Sequence, residues 1–342
     1  MHRQWTSEQA WKWYDKTPWL VGCNFLPSTA INDVEMWQAE SFDEPTIARE
    51  LGWAGKIGYN SIRVFLQYVV WEADPAGFMQ RFERVLEIAD ANGMTVMPVL
   101  FDDCLFSGKQ PRLGPQDDPA VGVHNSGWVP SPGKAIGEDP AKRPLLEQYI
   151  TDMICRFADD PRVVVWDLYN EPGAAGELFD SRSLLTATFD WAQAVRPSQP
   201  LTVGVFKGPG VDDINAIQAK DECSRIMVAR SDVTSFHCYM PFKEALACVE
   251  SFKTIGRPMI VTEWMARATM ESLFQTHLPM WKAHRVGCYN WGLVAGRTQT
   301  FLPWSNPTRT MEPEAWHHDV LRQDGTPYDV AEIDALHKAT GR

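Results

Sequence analysis

The stretch VVVWDLYNEPG, residues 163–173, decides the fold. Its apolar, β-branched run up to Tyr169 is the pattern of a strand buried on both faces of a parallel sheet. The pattern stops at Asn170-Glu171, where polar chemistry begins. A second run, PMIVTEW at 258–264, brings another carboxylate, Glu263, to the same point of its strand. Outward from these two, further strand-like runs read WLVGCNF (19–25), SIRVFLQ (61–67), TVMPVLF (95–101), LTVGVF (201–206), VTSFHCY (233–239) and VGCYNWGL (286–293). Amphipathic stretches such as EPTIARELGWAGKIG, GFMQRFERVLEIADANG and LLEQYITDMICRFADD lie between them. Several end in Gly or Asn just before the next strand, as helix C-caps do. Eight strands alternating with helices predict a (β/α)₈ TIM barrel, with one catalytic domain over 1–342. A doubly wound sheet would carry a Gly-rich phosphate turn after its first strand, and NFLPSTAIN supplies none.

Connections after the strands are unequal. The segment 102–140 follows the third strand and is dense in Pro, Gly and Asp; 26–42 and 294–316 are also long and also follow strands. In a barrel all three project from the C-terminal face, where barrel enzymes keep their sites, so 102–140 is expected to wall a cleft. The chain has 342 residues, 32 Lys plus Arg and 44 Asp plus Glu, a net charge of −12. That balance argues against nucleic acid or an anionic membrane as partner. Seven Cys without a C-x-x-C pair give neither a zinc ribbon nor a disulfide framework, and free thiols suit a reducing compartment. The N-terminal stretch has no signal-peptide pattern, so a cytoplasmic protein is expected; a chain trimmed of an export signal would read the same.

Two strand-end glutamates in an acidic, Trp-rich chain suit hydrolysis of a glycosidic bond. One carboxyl protonates the leaving oxygen and the other works at the sugar. Three βα units separate Glu171 from Glu263, which puts them on the fourth and seventh strands, facing across the barrel mouth. A retaining enzyme sets its carboxyl groups ~5–5.5 Å apart, and an inverting one ~6.5–9.5 Å, leaving room for a water.

Asn-Glu-Pro closing the fourth strand and Thr-Glu-Trp closing the seventh resemble clan A of the glycoside hydrolases, most closely family 5. The resemblance runs from Cys23-Asn24 to Trp291. It implies Glu171 as acid/base and Glu263 as nucleophile of a retaining β-glycosidase that needs no metal or organic cofactor. Asn170 would bond the substrate 2-hydroxyl, Arg63 would keep Glu263 ionised, and His237 and Tyr239 would stand beside the two glutamates. Trp291 would be the platform under the sugar. The expected substrate is a β-linked gluco-, manno- or xylo-configured oligosaccharide, with exo-action or short substrates favoured over a polymer. Family 5 commonly has a histidine near the end of the third strand, where this chain reads Phe101-Asp102-Asp103.

Asp102 and Asp103 are read as sugar ligands, cation ligands or loop caps. Trp37 is expected to close the pocket, and Trp128 to stand in its wall or to fasten the loop. His317-His318 is read as surface, because neighbours on a helix diverge by about 100°. Gly-Pro-Gly at 208–210 is read as a turn, since no Lys-Ser/Thr phosphate signature follows.

Overall fold

Each predicted run supplies a strand of one parallel sheet in the computed structural model, which describes residues 4–105, 107–207 and 213–342. The turn expected at 208–210 lies outside these residues. The strands are β1 Val21–Asn24, β2 Ser61–Phe65, β3 Thr95–Val99, β4 Trp166–Asp167, β5 Leu201–Thr202, β6 Thr234–His237, β7 Met259–Trp264 and β8 Val286–Trp291. Their order is β5-β4-β3-β2-β1-β8-β7-β6, and a parallel bridge between Val205 and Phe236 joins the two ends. The result is a nearly closed (β/α)₈ TIM barrel.

The predicted strand at 163–170 keeps a regular ladder only at Trp166–Asp167. Val163 and Asn170 touch the sheet through isolated bridges to Val96 and Asp102. On β6 and β7 the register shifts between Phe236 and His237 and between Val261 and Trp264. Such irregularities re-aim side chains at a barrel rim, and here His237 comes level with Glu263.

Local signals set the surrounding helices. Helix Glu44–Ile57 begins where the Asp43 side chain accepts the Thr46 N–H, with Pro45 in the first turn, and ends at Gly58 with φ +109°. Its buried Ile47, Leu51 and Ala54 recur at helical spacing, so one face meets the barrel. Helix Ser7–Tyr14, opened by a Thr6/Gln9 capping box, lies under the barrel. Its Ala10 joins Leu20, Met97, Val165, Ile260 and Tyr289 in one apolar cluster, which closes the floor. Among the described residues no helix is long and apolar enough to cross a membrane.

Gly22 of β1 lies directly against Ser61 of β2. A Cβ there would meet the Ser61 carbonyl oxygen at 2.1 Å, and that atom is backbone. Gly22→Ala should therefore destabilise the fold by about 1–3 kcal/mol or more, read as a lower urea midpoint. An unchanged midpoint would mean that the strands part without cost.

Candidate active site

Arg63, fully buried on β2, organises the barrel mouth. Its Nε and Nη2 donate to Asp167 Oδ2 at 3.0 and 2.8 Å. Nη1 donates to Asn24 Oδ1 at 2.7 Å and to Glu263 Oε1 at 3.0 Å. Nη2 also donates to Asn170 Oδ1 at 2.6 Å. One guanidinium thus ties together side chains from the ends of β1, β4 and β7. Burial opposes its charge, but the charges of Asp167 and Glu263 outweigh that and hold its pKa above the ordinary arginine value.

Glu171 follows β4 in a left-handed conformation, φ +47°. Its Oε1 lies 2.7 Å from His237 Nδ1, and its Oε2 accepts from the Cys104 thiol at 3.0 Å. Glu263 Oε2 accepts from the Tyr239 hydroxyl at 3.0 Å and lies 3.5 Å from His237 Nδ1. His237 therefore stands between the two carboxylates. At Glu171 burial raises the pKa, but the hydrogen bond and charge of His237 outweigh it, and the group lies below the ordinary glutamate value. At Glu263 burial, with the charge of Glu171, prevails over the pull of His237 and Arg63, and the group lies above it. Burial opposes the charge on His237, yet the two glutamates hold it above the ordinary histidine value. Arg63 divides its charge between Glu263 and Asp167, while His237 bonds Glu171 directly.

Glu171, His237 and Glu263 bring three ligand atoms within 4.8 Å of one another. A cation can span that spacing, but these oxygens already accept from Cys104, Arg63 and Tyr239 and face His237.

A cleft of about 350 Å³ opens over the glutamates. On one side Trp291 and Trp128 meet edge to face at 5.7 Å, both against Phe65. On the other, Tyr239 packs on Trp304 and His318, with ring centroids 5.2 and 5.5 Å away. His318 Nδ1 donates to Met265 O at 2.6 Å, and His124 Nδ1 to Leu302 O at 2.7 Å. Burial holds His124 down to about 4 and His317 to about 3, so both are neutral near pH 7. The loops after β3 and β8 are laced together here. Asn125 N donates to Thr298 O at 2.9 Å and Gly122 N to Gln299 Oε1 at 2.9 Å. Asn306 Nδ2 donates to Gly122 O at 2.9 Å, and Arg297 pairs with Asp118 at 3.2 Å. Because β2 and β1 lie between β3 and β8 in the sheet, this bridge arches over their C-terminal ends.

The structure brings Glu171, Glu263, Arg63, Asn170, His237, Tyr239 and Trp291 together, with Trp128 in the wall. Trp37 is elsewhere: it is fully buried, packs on Phe42, Phe78 and Phe82, and donates to the Phe65 carbonyl. Asp102 and Asp103 are buried supports rather than sugar ligands. Asp102 accepts from Asn170 Nδ2 and Trp128 Nε1 at 2.8 and 2.7 Å; Asp103 accepts from Tyr169, Gly173 N and Ser181. His317 and His318 are buried, not surface, because the chain there is not helical and folds back under Trp304. Sequence reasoning missed Cys104, Asn24 and Asp167. Of these only Asp167 left a signal, a charge within an apolar strand.

Residues 31–296 match the model of the Cellulase family, glycosyl hydrolase family 5. No curated protein sequence matches the chain. Among solved structures, the exo-β-1,4-mannosidase of Opitutaceae bacterium strain TAV5 is similar with a TM-score of 0.61 and 16% identity over 94% of this chain. This chain spans 60% of that protein's length. A GH5_18 protein of Streptomyces cattleya, in complex with Manβ1-4GlcNAc, has a TM-score of 0.64 and 15% identity over 95% of this chain and 81% of that one. The endo-1,4-β-mannanase of Rhizomucor miehei has a TM-score of 0.60 and 13% identity over 96% and 97%. Identities this low show a shared fold.

Cys104 and Cys155 should differ sharply as nucleophiles. Cys155 is exposed, whereas burial and the charges of Asp102 and Glu171 push the Cys104 thiol well above the ordinary value. Iodoacetamide at pH 7 followed by peptide mapping should label Cys155 first and Cys104 slowly. Fast labelling at Cys104 would reveal a thiolate in the cleft.

Proposed function

The chain belongs to glycosyl hydrolase family 5, and on that premise we propose that it is a retaining β-glycosidase releasing a terminal sugar from short β-linked oligosaccharides. The observation that carries the mechanism is the carboxylate pair. An oxygen of Glu171 lies within 4.8 Å of one of Glu263, which suits direct attack better than the ~6.5–9.5 Å gap that houses a water in inverting enzymes. Glu263 attacks the anomeric carbon while the glycosidic C–O bond breaks, and the departing oxygen takes a proton from Glu171. That proton is drawn along the 2.7 Å contact from His237. Water then attacks the same carbon and gives its proton to Glu171, and Glu263 leaves as a free carboxylate. Arg63 and Tyr239 hold Glu263 in place and stabilise its charge, and Asn170 is oriented by Arg63 and Asp102 toward the sugar.

The bridge between the β3 and β8 loops supports exo-action. It joins the two loops beside a cleft of about 350 Å³, near the small end of the ~300–1,000 Å³ range of ligand sites. A polymer would need a groove open at both ends. Manno-configured substrates come first among the candidates, because similar structures include a mannosidase and a mannanase.

Two measurements test this reading. Incubation with 2-deoxy-2-fluoro aryl β-glycosides of mannose, glucose and xylose should add one sugar mass to Glu263. Turnover of the parent glycosides with no adduct would count against a covalent intermediate. Glu171→Ala should lose activity on natural oligosaccharides by about 10²–10⁴-fold yet keep the first step on aryl glycosides with good leaving groups. Equal loss on both would remove Glu171 from the acid role.

A further inference from the structure

Asn125 sits inside the bridge, and the bridge does not account for its side chain. Its backbone does serve the loops: N–H to Thr298 O at 2.9 Å, and the carbonyl accepting from Trp128 N at 3.2 Å. Its φ of +49° is a conformation that asparagine tolerates better than most residues. Glycine would serve that turn equally well. The residue, however, lines the cleft and is only 1% exposed. Neither Oδ1 nor Nδ2 has a hydrogen-bond partner. An amide withdrawn from water with donor and acceptor both unpaired is costly, so a partner belonging to the working complex is the economical explanation.

The neighbourhood narrows that partner. Trp128 and Trp291 offer flat apolar faces, and His124 is neutral near pH 7. No charge adjoins the amide along this loop segment, His124 to Trp128. We infer that Asn125 is a specificity-determining residue of the cleft, its amide reading two adjacent hydroxyls of the terminal sugar. A carboxamide presents an acceptor and a donor side by side. Two vicinal hydroxyls of a pyranose match it, one donating to Oδ1 and the other accepting from Nδ2. The inference rests on the exo reading, since it requires a sugar terminus against the bridge.

The test measures binding and turnover separately. Methyl β-glycosides of mannose, glucose and xylose, with the monodeoxy analogues of whichever binds most tightly, are titrated calorimetrically into the native protein, Asn125→Gly and Asn125→Asp. Glycine preserves the positive φ. Aspartate preserves shape and acceptor but loses the donor, and unfolding midpoints control for stability. The parent glycoside should bind Asn125→Gly about tenfold more weakly or worse, the worth of one or two hydrogen bonds. The analogue lacking a hydroxyl that Asn125 reads should bind native protein and Asn125→Gly alike, whereas the other analogues should keep the full difference. Equal binding of the parent to all three proteins, or one uniform loss across every analogue, would overturn the inference. So would failure of all three glycosides to bind. Hydrolysis of the matching aryl glycosides, run in parallel, then shows whether the exo reading falls with it.

Discussion

Everything at the mouth of this barrel depends on a guanidinium that has no access to water. A buried cation persists only if its donors are all satisfied, and breaking such a set is far more costly than never having built it. Arg63 meets that condition by taking oxygens from Asn24, Asp167, Asn170 and Glu263. The requirement of one charge therefore fixes the spacing of four side chains on three other strands. Asn170 is held on its second side by Asp102, which in turn anchors Trp128. The same network that neutralises Arg63 thus reaches from a glutamate in the floor of the cleft to an aromatic in its wall.

His237 adds a second constraint. With one ring nitrogen 2.7 and 3.5 Å from the two glutamates, its charge acts on both. Arg63 and Tyr239 act on Glu263, and His237 and Cys104 act on Glu171, so the two carboxylates keep distinct surroundings although they are close. Distinct surroundings of this kind push the proton affinities of two close carboxyl groups apart.

Much of this was legible in the sequence. All eight strands lie within the apolar runs, because parallel strands buried on both faces leave a continuous signal. Glu171, Glu263, Arg63 and Tyr239 converge because period and register place strand-end residues at one rim. What escaped was set by loops. Trp37 reads like a pocket aromatic, yet it packs behind β2, because the short helix Asp33–Trp37 turns it inward. His317 and His318 read as surface, yet a non-helical return of the chain buries both. Asn125 has no strand or helix period around it at all. Cys104 gave no warning either, since a thiol following two aspartates has no pattern of its own. Fold and catalytic floor follow from periodicity; the walls follow from long-range loop pairing, which a single sequence does not display.

The barrel is not equally strong around its circumference. β6, β7, β8, β1, β2 and β3 are joined by ladders of several residues, whereas β4 and β5 share two paired positions and β5 meets β6 through the Val205–Phe236 bridge. Cooperative units with few paired backbone groups open first in the native state. The shortest regular ladders therefore lie at β4 and β5, beside Glu171, while Glu263 stands on the longer β7, where the register against β8 shifts between Val261 and Trp264. Glu171 follows a strand with a two-residue ladder and Glu263 lies within a six-residue strand, so local opening would free the first carboxylate before the second.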